Sequence, residues 1–139
     1  MRRIVVVVFA VAAAGLLGGS SWGANATANS TVGIWLKEWK VVTSSRVVPA
    51  GKVTFSVSNI GALDHELVVV RTDRAPGALS VKASQADETG SRGEVEELRP
   101  PLTDRLTLTL PPGRYVLLCN LADHGGHYKH GMFTSLVVR

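Results

Sequence analysis

The chain has 139 residues, which is room for one domain with one hydrophobic core. Its formal net charge is +4, and it falls to +2 (4 − 2) without Arg2 and Arg3 near the N-terminus. The remaining charges are mixed in sign along the chain, unlike the concentrated basic stripe of a nucleic-acid-binding protein. The composition therefore argues against nucleic acid as a partner.

Residues 1–26 have the pattern of a cleaved secretory signal peptide. Arg2-Arg3 precede an apolar stretch from Ile4 to Leu17, and Ala24-Asn25-Ala26 is a small-x-small cleavage site. A retained transmembrane anchor is the alternative, but the apolar stretch is short for a span and glycines follow it at once. We therefore predict a mature domain over residues 27–139 that is exported to the periplasm or the cell exterior, with no stable membrane insertion.

Apolar and polar residues alternate through most of residues 27–139 without a sustained helical period, which predicts an all-β protein. The alternation is clearest in residues 53–57, 106–110 and 115–119. The apolar run from Leu67 to Val70 predicts a strand that is covered on both faces. Short strands between turn signals such as Pro111-Pro112-Gly113 predict a Greek-key β-sandwich.

Two segments depart from this simple alternation. The aliphatic residues of 32–36 are at even positions and the apolar residues of 39–41 are at odd positions, so in one regular strand they would face opposite sides. A bend or bulge near Lys37-Glu38 would place them on the same side. Residues 72–101 are rich in charged, small and turn residues, so we predict a long connection across one end of the sandwich. One helical turn is expected there, around Glu94 to Leu98, and we assign no chemistry to this connection.

Cys119 is the only cysteine of the chain, and it ends an apolar run just before a loop that contains histidines and Met132. A free thiol in an exported protein is open to oxidation, and ligation of a metal would protect it. Thiolate, imidazole and thioether donors together suit copper. A further imidazole could come from His65, at the entrance to a strand, so the sequence predicts a site for one copper ion that cycles between Cu(I) and Cu(II).

These motifs resemble those of the cupredoxin superfamily, in particular the small exported blue copper proteins related to plastocyanin and sulfocyanin. The resemblance rests on four elements in the same order: Asn59-x-Gly61 with His65-Glu66-Leu67, Pro112-Gly113-Arg114-Tyr115, Cys119-Asn120-Leu121, and Gly126-His127-Tyr128 with Gly131-Met132. It implies a type 1 copper site with the ligands His65, Cys119, His127 and, as the weak axial ligand, Met132. Glu66 stands where relatives have Asn or Ser, which implies the loss of one outer hydrogen bond.

The second histidine ligand stays open between His127 and His124. Relatives have a histidine five residues after the cysteine and a methionine five residues after that histidine; His124 keeps the first spacing and His127 keeps the second. We favour His127, because Gly126-His127-Tyr128 matches the family motif and residues 122–125 then contain a short insertion. His130 is expected to face solvent beside the site.

The resemblance implies an electron carrier and not an enzyme. Three strong ligands and a weak one leave no open position for a substrate, and four histidines are too few for additional copper centres. The expected partners are redox proteins that dock transiently with a monomer, at an exposed edge of the loop histidine beside Tyr128, Gly131 and Phe133. The alternative is a copper carrier or chaperone that would use the His/Cys/Met cluster, and the inserted His124 makes it more credible than in an ordinary relative.

Overall fold

The computed structural model describes residues 28–139, so the predicted signal peptide lies outside the described residues. The described part of the chain forms these strands: β1 (Ala28–Lys37), β2 (Lys40–Thr43), β3 (Val47–Val48), β4 (Gly51–Asn59), β5 (His65–Arg71), β6 (Val81–Lys82), β7 (Gln85–Ala86), β8 (Ser91–Leu98), β9 (Thr103–Leu110), β10 (Gly113–Leu118) and β11 (Phe133–Val138). Short 3-10 helices span Pro76–Ala78, Asp123–Gly125 and Tyr128–His130. Within residues 28–139, no helix combines the length and apolarity that a membrane span requires.

The two main sheets face each other, which confirms the predicted β-sandwich. One has the strand order β2-β1-β4-β9, and the other has the order β3-β11-β10-β5-β8. Neighbouring strands are antiparallel except in the pairs β1–β4 and β3–β11, which are parallel. Alternate side chains of both sheets meet between them in one hydrophobic core, with Phe55 from β4 and Leu117 from β10 both fully buried.

Strand β5 is covered on both faces, as its continuous apolar run predicts. Leu67 and Val69 lie in the core between the sheets, whereas Val68 and Val70 belong to a second apolar cluster on the outer face. That second cluster includes Leu79 from the segment after β5. Part of the connection over residues 72–101 therefore forms a third layer over the sheet.

The predicted helical turn around Glu94 to Leu98 is wrong, because these residues belong to strand β8, which pairs with β5. Val95 and Leu98 are both buried although they are three residues apart, a spacing typical of one face of a helix. Leu98 pairs with His65 and Val95 pairs with Leu67, so β8 has one residue more than β5 in this interval. This bulge turns both apolar side chains inward without a helix.

The change of parity near Lys37-Glu38 has a different cause from the predicted bend or bulge. Lys37 pairs with Lys40, and Glu38 and Trp39 form the two-residue turn of a hairpin between β1 and β2. The apolar residues after the turn therefore belong to a separate strand with its own alternation. The turn places Glu38 and Trp39 beside the site described next.

Candidate metal centre

One end of the sandwich brings three buried donor atoms close together. Nδ1 of His65 lies 3.2 Å from Nδ1 of His127. Sγ of Cys119 lies 3.2 Å from Nδ1 of His127 and 3.9 Å from Nδ1 of His65. None of the three side chains is exposed to solvent. The structure thus brings together three of the predicted ligands, and the loop histidine among them is His127.

The strands and the loop between them explain why these donors meet. His65 is the first residue of β5, and Cys119 directly follows the neighbouring strand β10, so both lie at the same end of the sheet. Backbone hydrogen bonds close the loop that follows: Cys119 N–H donates to Met132 O at 3.1 Å, and His127 N–H donates to Leu121 O at 2.9 Å. These bonds fix His127 next to Cys119.

Met132 is fully buried and lies in the same core cluster as Cys119. Its backbone N–H donates to His127 O at 3.2 Å. The backbone therefore places Met132 beside the three donors. Its role as a weak axial ligand stays a prediction.

The distances suit a single small metal ion. With bonds of about 2.0 Å to nitrogen and about 2.3 Å to sulfur, the ligand atoms around a roughly trigonal ion are about 3.3–3.7 Å apart. The distances among the three donors, from 3.2 to 3.9 Å, bracket these values. Two imidazoles, a thiolate and a nearby thioether form a donor set that fits copper.

Burial controls the protonation of the donors. It is the main cause that lowers the pKa values of His65 and His127, which favours the neutral rings, each with a lone pair for a metal. Burial also raises the pKa of the Cys119 thiol to about 12, so the thiolate needs a cation beside it. The site is therefore arranged for a cation that displaces the thiol proton.

Glu66 links the two strands that supply the donors. Its backbone N–H lies 3.4 Å from Sγ of Cys119, and its Oε1 accepts a hydrogen bond from the N–H of Asn120 at 2.9 Å. Burial raises the pKa of the Glu66 carboxyl to about 7. The side chain of Glu66 therefore makes an outer hydrogen bond at the position where the resemblance implied a loss.

The connection over residues 72–101 also holds the residue after the cysteine. Oδ1 of Asn120 accepts the N–H of Ala86 at 2.6 Å, and Nδ2 donates to Ala86 O at 2.9 Å and to Glu88 Oε1 at 2.6 Å. Gln85 Nε2 donates to Asn120 O at 3.1 Å. A segment to which the sequence analysis assigned no chemistry thus fixes the backbone next to Cys119.

His124 and His130 lie outside the buried donor set. His124 is exposed in the 3-10 turn Asp123–Gly125, with its Nδ1 2.8 Å from Asp123 Oδ2. The predicted short insertion in this turn stays a prediction. His130 is exposed beside the site, as predicted, and its ring stacks on Trp39 with the ring centroids 4.5 Å apart.

The sequence analysis missed two residues of the site, Glu38 and Trp39 of the hairpin turn. Oε1 of Glu38 accepts a hydrogen bond from Nε2 of His65 at 3.1 Å. The N–H of Leu63 also donates to this carboxylate, and it is the main reason that the pKa of Glu38 falls to about 2. Trp39 packs edge-on against His127, with the ring centroids 4.9 Å apart. The only feature of the sequence that pointed to this turn was the shift in the alternation of apolar residues near Lys37-Glu38.

The predicted exposed edge of the loop histidine is wrong. His127 is fully buried, and Trp39 packs against its ring. Tyr128 is buried as well, because its hydroxyl donates to Pro76 O at 2.6 Å and accepts the N–H of Leu79 at 3.0 Å. Trp39 is thus the partly exposed residue that connects His127 with the surface.

Comparison with solved structures gives matches that cover most of the chain. Auracyanin from Roseiflexus castenholzii is 23% identical, with a TM-score of 0.59 over 81% of this chain and 98% of that one. Auracyanin A from Chloroflexus aurantiacus, a "blue" copper protein, is 22% identical, with a TM-score of 0.58 over 81% and 100%. Rusticyanin from Thiobacillus ferrooxidans is 14% identical, with a TM-score of 0.55 over 78% and 77%. Comparisons with protein-family models and with curated proteins gave no match.

These likenesses establish the fold, which is the cupredoxin β-sandwich that the sequence motifs predict. The buried His65, Cys119 and His127 donors lie at one end of that sandwich. Fold and donor set together define the class of site as that of type 1 copper.

Proposed function

We propose that this protein is a mononuclear blue copper protein that carries single electrons between protein partners. The observation that carries this proposal is the buried triangle of His65 Nδ1, Cys119 Sγ and His127 Nδ1 beside Met132. Bound copper supplies a one-electron couple between Cu(I) and Cu(II). The auracyanin and rusticyanin likenesses support the same function through the shared fold.

In this proposal the two Nδ1 atoms and the thiolate are the strong ligands, and the thioether of Met132 is the weak axial one. All four side chains are buried, so water and substrates are kept from the metal. The ligands come from strand ends and a closed loop, which favours one geometry for both oxidation states. These features support electron transfer by a protein that is not an enzyme.

A copper carrier or chaperone is the less favoured function. Such a protein needs donors at its surface that release the ion easily to a partner. Here the exposed imidazole of His124 lies close to Asp123 and His127 in a second group of donors, but that group contains no thiolate, and the exposed His130 belongs to neither group. The buried set therefore supports retention of copper over delivery.

We propose that electrons pass between the site and redox partners through His127 and Trp39. The indole packs edge-on against the ring of His127 and stacks on the exposed ring of His130. Weak redox complexes use small interfaces, so a monomer with a compact aromatic surface suits transient docking.

Visible spectroscopy tests the function. Addition of Cu(II) to the mature protein should give an intense blue or green colour from charge transfer between the Cys119 thiolate and Cu(II). Cys119→Ser should abolish the colour even if copper still binds. A colourless wild-type complex would contradict the blue copper function and favour the copper carrier.

The proposal includes export, with a mature protein that begins near Thr27. The basis is the basic, apolar and small-x-small order of residues 2–26. Mass spectrometry of the protein from its native host should find this N-terminus in a soluble fraction from outside the cytoplasm. An intact N-terminus in a membrane fraction would instead identify an anchor.

A further inference from the structure

The carboxylate of Glu38 meets three hydrogen-bond donors at one oxygen atom. Its Oε1 accepts the backbone N–H groups of Ala62 at 2.9 Å and Leu63 at 2.7 Å, and it lies 3.1 Å from Nε2 of His65. The side chain of His65 is fully buried, whereas that of Glu38 is 29% exposed. A charged group at the rim of the site thus holds the outer nitrogen of a buried ligand candidate.

This contact determines which nitrogen of His65 carries the proton. A carboxylate only accepts hydrogen bonds, so Nε2 is the protonated nitrogen and Nδ1 has the free lone pair. Nδ1 is the atom that faces Cys119 and His127. Glu38 therefore holds the ring in the tautomer and the orientation that metal binding requires.

The charge of Glu38 has a separate effect on the two oxidation states of copper. A carboxylate that accepts the outer N–H of a ligating histidine makes the imidazole a stronger donor. A nearby negative charge also stabilises the more positive ion. Both effects favour Cu(II) over Cu(I). His127 also has a carboxylate near its outer nitrogen, since Asp123 Oδ1 lies 2.9 Å from Nε2, but that nitrogen makes no hydrogen bond.

We propose that Glu38 is a positioning residue that orients His65 for copper and lowers the reduction potential of the site by favouring Cu(II). This inference rests on the copper-binding function proposed above. Glu38 also anchors the backbone of residues 62–63, and a purely structural anchor would act differently. Loss of an anchor weakens the binding of both oxidation states, whereas loss of the charge acts mainly on Cu(II).

Two variants change the Glu38 carboxylate in different ways. Glu38→Gln keeps the size of the side chain and an accepting oxygen but removes the charge. Gly61→Ala keeps the charge but displaces it, because the new methyl group would lie 2.5 Å from Oε1 of Glu38. Glu96→Gln, at an exposed position of β8, is the matched control with the same change in net charge.

In the copper-loaded mature protein, we expect Glu38→Gln to lower the affinity for Cu(II) by roughly tenfold or more, with a much smaller change for Cu(I). A tenfold loss of Cu(II) affinity relative to Cu(I) affinity raises the potential of a one-electron couple by about 59 mV. Competition titrations measure the affinities, and spectroelectrochemical titration measures the potential. Gly61→Ala should shift the potential in the same direction, and it carries the test if Glu38→Gln does not fold.

Pulsed EPR adds a readout that a structural role would not move. The signal of the remote nitrogen of His65 should change in Glu38→Gln and in Gly61→Ala but not in Glu96→Gln. Equal losses of Cu(I) and Cu(II) affinity, or a potential shift in Glu38→Gln no larger than that in Glu96→Gln, would overturn the proposal. A wild-type protein that stays colourless with Cu(II) would instead refute the blue copper function itself.

Discussion

The two histidines of the candidate copper site are held in different ways. His65 begins a strand of the sandwich, and its outer nitrogen donates to the carboxylate of Glu38. His127 lies in a loop, its outer nitrogen makes no hydrogen bond, and its ring packs against Trp39. His65 thus has a hydrogen-bonded carboxylate behind it, whereas His127 has an aromatic cover and the carboxylate of Asp123, which lies 2.9 Å from its Nε2 without a hydrogen bond.

This difference separates two properties of an electron carrier. A carboxylate that is hydrogen-bonded to a ligand acts most directly on the relative stability of the two oxidation states, so we expect the His65 side to contribute most to the reduction potential. Aromatic rings that lead to the surface provide a path, so we expect the His127 side to set the rate of electron exchange. Changes on one side should leave the property of the other side nearly unaltered.

His127→Ala is expected to have the largest effect, because it removes a strong donor and opens the site to water. The charge-transfer absorption should weaken or shift, and reversible redox cycling should be lost in voltammetry. His124→Ala is the matched control, since it removes an exposed imidazole from the same loop and should leave the spectrum and potential nearly unchanged. The assignment of the loop ligand would be wrong if His124→Ala bleached the site and His127→Ala did not.

Met132→Leu tests the part of the site that belongs to neither histidine side. The colour should remain, because the thiolate is untouched. The potential should rise, since loss of an axial thioether disfavours Cu(II). Voltammetry and visible spectra of the same sample check both statements, and loss of the colour would contradict an axial role.

Trp39→Leu tests the His127 side alone. Loss of the indole removes the aromatic contact with His127, so electron self-exchange should slow, as measured by NMR line broadening in mixtures of oxidised and reduced protein. The potential should move less than in Glu38→Gln. Trp35→Leu is the control, because Trp35 is exposed on β1. Equal slowing in both variants would contradict a special role for Trp39.

Asn120→Ala should have the smallest effect on the copper itself, because it changes only the support of the cysteine loop. The side chain of Asn120 bonds to Ala86 and Glu88, and its loss leaves buried backbone groups of Ala86 without partners. The unfolding free energy of the metal-free protein should fall by about 1–3 kcal/mol in denaturant titrations. Asn29→Ala, at an exposed strand position, should change it by less than about 0.5 kcal/mol.

The donor set could be read from the sequence because its signals are local. Cys119, His127 and Met132 lie within one short loop of recognisable spacing, and His65 follows a turn at the entrance to an apolar run. The same applies to the strands with clean alternation, such as β4 and β10. In these segments the pattern of burial and the pattern of the sequence agree.

The residues that surround the donors could not be read in this way, because their roles arise from contacts between distant segments. Glu38 reaches His65 across 27 positions, and nothing near Glu38 in the sequence marks it as an acceptor. Strand β8 was misread because a bulge gave Val95 and Leu98 a helical spacing. Such a bulge depends on the pairing with β5, which the sequence of β8 alone does not contain.

The closed cysteine loop has a consequence for protein engineering. The hydrogen bond from His127 N–H to Leu121 O closes the segment between these two residues at its base. The exposed turn Asp123–Gly125 lies within that closed segment. Peptides of other lengths could be grafted there to give new docking specificities if Asp123 is kept, because its Oδ1 lies 2.9 Å from Nε2 of His127 and its carbonyl oxygen accepts the N–H of Gly126. The graft must end before Gly126, whose φ of 98° and close approach to Ser84 O leave no space for a side chain.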